Sequence, residues 1–268
     1  MLFAGSLPAT PFRELVAAAA GAGWDGISVW PLTYQRALSR EGLDPTAMRA
    51  IVDDAGIRVT ELDAVFDWTP LPDGATPNPK EWDRHRFFEA AGVLGADTVV
   101  AAGRLGATTL DLDAAAESFA VLCDDAAEHG LRISIEFVAF SAIPDPATAW
   151  RIIEASRRDN SGLTVDICHL VRSGGDEGAL RHLPPERVFT VQLADGPAEA
   201  PADLFDEAQW HRREPGDGEF DISGFLSRLA ADGVRARVGP ELYLADWSER
   251  DPALVAADLM ASTQRALG

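Results

Sequence analysis

The sequence predicts an α/β protein built as a (β/α)8 TIM barrel, a parallel eight-stranded barrel inside a ring of helices. Three observations carry that prediction. Eight short β-type runs occur in order along 268 residues. Helical patterns separate them, and none of the connections carries a hairpin signal. Several runs are apolar on successive residues, as in strands buried on both faces; Val99, Val100, Ala101 and Ala102 form one, and Val188, Phe189, Thr190 and Val191 another. A doubly wound open sheet would need about five or six strands, and no Gly-x-Gly-x-x-Gly follows the first strand. No low-complexity linker divides the chain, so residues 1–268 read as one domain.

The strand runs are Leu2–Ser6, Gly26–Trp30, Arg58–Ala64, Thr98–Gly103, Arg132–Phe137, Leu163–His169, Val188–Asp195 and Arg237–Tyr243. Helices are expected to start at Thr10-Pro11, Asp44-Pro45, Asn78-Pro79, Asp145-Pro146 and Asp251-Pro252, where a capping side chain precedes a proline fit for the first helical position. The first helix presents Phe12, Leu15, Val16 and Ala19 on one face. A later one repeats the spacing with Ile222, Phe225, Leu226 and Leu229, capped by Asp221. Glycines end the helices at Gly21 and Gly23, Gly56, Gly130 and Gly233. Thr69–Pro79 and Gly196–Gly218 read as long loops at the catalytic end of the barrel, either as solvated loops or as a lid or pocket wall.

The net charge of −20 excludes nucleic acid and an anionic membrane as expected partners, because their phosphates would be repelled at long range. The basic residues are almost all arginine. The single lysine, Lys80, sits in a proline-rich stretch, which weighs against Schiff-base chemistry. Cys123 and Cys168 are too few for a disulfide framework and suit a reducing compartment; Cys168 reads as a small core residue. The N-terminus lacks the pattern of a signal peptide and no run is long enough to span a membrane, so a cytoplasmic location is expected.

Four strand ends carry polar groups that a buried strand does not carry without reason: Glu136, Asp166, Gln192 and Glu241. On neighbouring strands of a barrel these oxygens converge at the C-terminal rim. Three carboxylates in one pocket repel one another unless a cation neutralises them. Oxygen donors with little histidine and no cysteine favour Mn2+ or Mg2+. Taken alone, Asp166 reads equally well as a cap for the following helix or a surface ion pair. His169 sits in the loop beside the expected metal. Arg212 lies just before a Pro-Gly-x-Gly-Glu turn that would fix its backbone, aimed at substrate or paired on the surface. Phe66, Trp68, Phe140 and Trp210 would ring the mouth, against a sugar ring or a flatter molecule, or pack beneath the loops.

These residues carry a family resemblance. Val191-Gln192-Leu193-Ala194-Asp195, followed by Arg212-Arg213-Glu214-Pro215-Gly216-Asp217-Gly218-Glu219, resembles the hydroxypyruvate isomerase signature. Asp166-Ile167-Cys168-His169 is similar to that group's Asp-x-x-His, and Ile135-Glu136 and Pro240-Glu241 match its two glutamate strands. The chain therefore resembles the xylose isomerase-like TIM-barrel superfamily, in its hydroxypyruvate isomerase and ketose 3-epimerase group. The resemblance implies one divalent ion on Glu136, Asp166, Gln192 and Glu241. It implies Glu136 and Glu241 as the acid/base pair, with His169 and Arg212 on the substrate. Phe66 and Trp68 complete the expected substrate contacts. The implied activity is isomerisation or epimerisation of a sugar or keto-polyol through a metal-bound enediolate, and a dimer or tetramer is compatible with it. The same residues would also serve a lyase or dehydratase. A multi-zinc hydrolase fits poorly with five scattered histidines, and a metal-free binding barrel would leave the four oxygens solvated. The departures are the long Gly196–His211 insertion and the lack of a histidine on Thr98–Gly103, both of which alter the pocket wall.

Overall fold

Seven strands form one parallel sheet in sequential order: β1 (Gly26–Val29), β2 (Arg58–Val65), β3 (Thr98–Ala102), β4 (Arg132–Glu136), β5 (Ser161–Asp166), β6 (Val188–Leu193) and β7 (Arg237–Pro240). The computed structural model describes residues 1–69, 82–107, 109–175, 177–181, 183–243 and 250–268. The helices among them are α1 (Phe12–Gly21), α2 (Pro31–Arg40), α3 (Pro45–Asp54), α4 (Arg84–Leu94), α5 (Leu112–Ala127), α6 (Pro146–Ser156), α7 (Ile167–Arg172), α8 (Gly178–Arg181), α9 (Leu204–Trp210), α10 (Ile222–Ala231) and α11 (Pro252–Leu267). None is long and apolar enough to cross a membrane.

Aspartate sets most of the helix starts. Asp44, Asp83, Asp111, Asp145, Asp166, Asp203, Asp221 and Asp251 each accept a hydrogen bond from a backbone amide of the first turn they cap. Such a cap contributes about 1 kcal/mol, and its charge complements the helix dipole. Part of the acidic excess is therefore structural. The expected cap at Thr10 is not made. Pro11 takes the cap position of α1, and the Glu41 carboxylate accepts from Phe12 N and Arg13 N instead. Asn78-Pro79 lies outside the described residues. Gly56 and Gly130 follow α3 and α5 with φ of 70° and 69°, a conformation other residues adopt only with strain.

Alternation along the strands sorts the side chains into two sets. One set joins the helices in the apolar core: Ile27 and Val29, Leu62, Val99 and Ala101, Ile133 and Ile135, Leu163 and Val165, Val191 and Leu193. The other set is mostly polar and equally buried: Ser28, Glu61 and Asp63, Ser134 and Glu136, Thr164 and Asp166, Thr190 and Gln192. The second set is cross-linked. Thr164 Oγ1 donates to Ser134 Oγ at 2.9 Å, and Thr190 Oγ1 donates to Glu61 Oε2 at 2.7 Å, joining β6 to β2.

Two expected strands are corrected. Leu2–Ser6 is not an eighth strand. Leu2 makes one parallel bridge to Ile27, while Ala4–Ser6 forms a 3-10 turn. Side chains take over the ladder there: Ala4 N donates to Ser28 Oγ, and Ser6 Oγ donates to Pro240 O. Met1 N also donates to Val238 O, so the first residues bond to both β1 and β7. The expected Leu163–His169 strand stops at Asp166, whose carboxylate accepts from Cys168 N and His169 N and starts α7.

Gly239 on β7 faces Met1, and a Cβ there would run into the Met1 carbonyl oxygen and press on Phe3. Gly239→Ala should therefore destabilise the protein by about 1–3 kcal/mol, read as a melting temperature lower by several degrees. An unchanged melting temperature would show that residues 1–3 are not wedged against β7.

Candidate active site

The C-terminal ends of the strands deliver the polar set to one cavity of about 350 Å3. Glu136 is the last residue of β4 and Asp166 the last of β5. Gln192 on β6 lies in register with Asp166 on one side and Gly239 on the other. Glu241 follows β7 and keeps the ladder, its N–H donating to Leu193 O. Asp63, Glu136, His169, Arg212 and Glu241 line the cavity, with Asp166 and Gln192 fully buried behind them. The remaining wall is largely apolar, with Trp30, Leu32, Phe66, Leu105 and Phe140 prominent.

Charge governs this end of the cavity. Burial pushes Glu136 well above the ordinary carboxylate range, and repulsion from Asp63 and Asp166 adds to it. Burial does the same to Glu241, with Asp63 and Glu136 adding. Asp63 is also raised by burial, to about 6, while accepting from Trp30 Nε1 lowers it in part. Buried carboxyls this close to one another disfavour each other's charge. Asp166 is the exception. Burial acts against its charge, but Arg212, His169 and a backbone donor outweigh that and lower it.

Arg212 is the one cation in direct contact with these carboxylates among the described residues. Its Nη1 donates to Asp166 Oδ2 at 2.7 Å and to Glu241 O at 2.8 Å. Its Nη2 lies 3.2 Å from His169 Nε2. Arginine can only donate, so His169 Nε2 accepts and the ring proton sits on Nδ1. Burial agrees, lowering His169 to about 4 and keeping it neutral.

A divalent cation fits these residues. Both amide atoms of Gln192 are buried without a hydrogen-bond partner, and an orphaned buried amide calls for one. Donor atoms of Glu136, Asp166 and His169 all lie within 4.8 Å of one another. Glu136 and Glu241, whose charged forms burial disfavours, would ionise more readily against a divalent charge. Glu136, Asp166 and His169 could thus hold the ion with the Gln192 amide, whereas the expected ligand Glu241 lines the same cavity but is not in that cluster.

The expected substrate residues divide. His169, Arg212 and Phe66 line the cavity. Arg212, however, is engaged with Asp166, Glu241 and His169. Trp68 is corrected: it is 1 % exposed, donates from Nε1 to Ala102 O and packs on Phe119, beneath the wall. Trp210 is half exposed and does not line the cavity, whereas Phe140 does. Asp63, Trp30 and Tyr243 were not anticipated. The period-2 pair Glu61-x-Asp63 on a strand was their available signal, because it puts two carboxylates on one buried face. Asp195 proves structural. It accepts from Gly196 N, Gly216 N and Phe220 N, and its backbone pairs with Arg213, which places Arg212. The insertion is anchored by the buried Arg172–Glu207 ion pair between α7 and α9, and α9 contributes Ala208 and Gln209 to the wall.

A family model described as xylose isomerase-like TIM barrel matches residues 16–264. A 3-dehydroshikimate dehydratase of Pseudomonas putida is 28% identical over 244 residues, covering 89% of this chain and 36% of that protein. The chain thus spans about a third of that relative's length. An inosose isomerase of Bacillus subtilis is 28% identical over 128 residues, covering 47% of this chain and 45% of the relative. Among solved structures, the IOLI protein with a binding zinc atom superimposes with a TM-score of 0.85 at 19% identity, covering 99% of this chain and 96% of that one.

Two outcomes follow from the geometry. Gln192→Leu should leave the metal-free protein at least as stable, since no protein hydrogen bond is lost, and should weaken Mn2+ binding by about tenfold or more, the usual range for a disturbed metal site. Calorimetric titration and a melt of the same variant read both; marked destabilisation of the metal-free form would give the amide a structural role instead. The second outcome concerns pH. Burial raises Glu61 to about 7 in the folded protein, against an ordinary 4.5, and raises Glu136 and Glu241 too. The folded state holds these protons more tightly than the unfolded chain. Their stabilisation is full below about pH 4 and is lost as pH rises through 7. The metal-free melting temperature should therefore fall between pH 5 and pH 8, and Glu61→Gln should flatten that fall. A rising profile would contradict the assignment.

Proposed function

The chain belongs to the xylose isomerase-like TIM barrel family, and we propose that it is a divalent-metal-dependent enzyme that moves a proton at the carbon beside a carbonyl, as an isomerase or epimerase of a sugar or keto-polyol. The observation that carries this reading is the pair Glu136 and Glu241, which line one cavity where, among the described residues, Arg212 is the one cation and reaches Glu241 only at its backbone oxygen. An ion on Glu136, Asp166 and Gln192 would polarise the substrate carbonyl and offset the negative charge that grows on its oxygen. The oxygen-rich donor set favours Mn2+ or Mg2+; a zinc ion, as in the IOLI structure, also suits oxygen donors with a histidine beside them.

The chain's own groups divide the proton work. Among the described residues Glu136 has no hydroxyl or carboxyl hydrogen-bond partner, and it is the group to take the proton. Glu241, whose charge is disfavoured by burial and by Asp63 and Glu136, is the group to return one, to a neighbouring carbon in an isomerase or to the opposite face in an epimerase. Arg212 ties Asp166 to the backbone of Glu241 and so fixes the spacing between β5 and the segment after β7. Where the ion sits on the oxygen donors alone, His169, oriented by Arg212, presents an Nδ1–H for a substrate oxygen.

The dehydratase relative favours a second reading with the same residues. The electron pair left by deprotonation can expel a hydroxyl on the next carbon instead of taking back a proton, giving a lyase. Both readings require Glu136 and Glu241. Glu136→Gln and Glu241→Gln should each keep the fold and lower kcat by about 100-fold or more. In D2O, deuterium should enter at the carbon beside the carbonyl. Normal turnover in both variants would remove the pair from the reaction, and transfer of the substrate's own hydrogen would replace proton transfer by a hydride shift. Release of water with each turnover would decide for the lyase.

A further inference from the structure

We propose that the substrate is a neutral hydroxyketone whose end remote from the carboxylates carries an apolar group of aryl or alkyl type. This inference rests on the reading of the site as a proton-transfer centre and adds what the rest of the cavity selects. The cavity has two unlike ends. One holds Asp63, Glu136 and Glu241 with Arg212 and His169. The other is apolar, from Leu32, Phe66, Leu105 and Val138, and Trp30 and Phe140 stand between the two, Trp30 donating from Nε1 to Asp63 and Phe140 packing edge-on against His169.

Among the described residues, the apolar part of the wall gives an anion nothing to pair with. Among the described lining residues the only side chains that could carry positive charge are Arg212 and His169. Arg212 spends Nη1 on Asp166 and Glu241, and its Nη2 faces His169 Nε2 at 3.2 Å, so both side chains are engaged at the carboxylate end. Lys80 and His182 lie outside the described residues. Against the described wall, a carboxylate or phosphate at the remote end would lose its water to apolar carbon without gaining a cation, which is strongly unfavourable. A bare polyol fares poorly too, since each hydroxyl facing that wall loses a hydrogen bond. The neutral polar groups lining the cavity are few: Gln209, the Tyr243 hydroxyl and the indole N–H groups of Trp30 and Trp82.

The apolar wall also continues outward. Leu32 and Leu105 line the cavity yet remain 44% and 48% exposed. Phe140 sits edge-on between His169 and Phe205, with centroid distances of 5.5 and 5.6 Å, and Phe205 is 49% exposed. On the other side Trp30 and Tyr243 lie 5.4 Å apart. An apolar strip running from a charged floor to an exposed rim suits a ligand that is polar at one end and apolar at the other.

Three matched ketones separate the possibilities: a phenyl 3-ketoglucoside, 3-ketoglucose and 3-ketoglucuronate. Their affinities for the Mn2+-loaded protein would be read by calorimetric titration at low salt. The phenyl ketone should bind at least 10-fold tighter than the free ketosugar, and the ketouronate weakest. Leu105→Arg, at the exposed rim, should narrow the gap by weakening the phenyl ketone and strengthening the ketouronate. A ketouronate that binds as tightly as the neutral ketones, a phenyl group without effect, or no binding of any of the three overturns the inference. Deuterium exchange beside the carbonyl, followed on the same samples, reads the proton-transfer proposal separately. Binding in the expected order with no exchange keeps the substrate class and removes that chemistry; exchange with the ketouronate as best ligand does the reverse.

Discussion

Four carboxyl groups buried around one guanidinium are the constraint on which the rest of this site depends. Asp63, Glu136, Asp166 and Glu241 are each less than 9% exposed, and Arg212 touches one carboxylate directly. Unpaired charges in such surroundings are costly, so the protein distributes its remedies. Asp166 keeps its charge by pairing with Arg212 and capping α7. Asp63 accepts a hydrogen bond from Trp30 Nε1. Glu136 has neither remedy, and Gln192 beside Asp166 has two unsatisfied amide atoms. The unmet demands of those two side chains fall at the same end of the barrel. A divalent cation would meet both.

Arg212 can play its part only because a loop distant in sequence is held rigid. The Asp195 carboxylate gathers amides from Gly196, Gly216 and Phe220, and a Cβ at Gly218 would collide with that carboxylate. The turn is thereby folded around one buried aspartate. Ahead of it, the Arg172–Glu207 pair pins α9, and Arg172 also donates to Pro197 O. The insertion is therefore a built wall with its own buried ion pair. Its residues Ala208 and Gln209 reach the cavity as a consequence.

Much of this was legible in the sequence because strands have a period of two. Ser134-x-Glu136, Thr164-x-Asp166 and Thr190-x-Gln192 each place a hydroxyl one layer below a donor on the same buried face, and the strand runs alone locate all three. The same pattern in Glu61-x-Asp63 was open to the same argument and passed unused, because attention to strand ends favours the later strands. Other features depend on contacts that no local pattern encodes. Trp68 faces inward beneath the wall because its indole reaches Ala102 O, a partner 34 residues away. The capping of α1 by Glu41 and the turn at Ala4–Ser6 likewise rest on residues remote in sequence. Arg212 could be located as a pocket residue, but its commitment to Asp166 required the fold.

The acidic composition then resolves into two populations with opposite physics. Aspartates at helix starts, most of them exposed, gain from hydrogen bonds and from the helix dipole, and they stabilise the shell. Carboxylates on the inner strand faces lose hydration and repel one another, and they destabilise the centre. Asp166 belongs to both populations at once: it caps α7 and lies buried behind the cavity wall, paired with Arg212. That double role explains why it alone among the buried carboxyls of the site stays below the ordinary range. It also makes Asp166 the fixed point of the site, since moving it would unseat a helix start and an arginine together. Glu136 and Glu241 carry no such structural duty. They are free to change protonation during a reaction, which a pair of proton carriers must do.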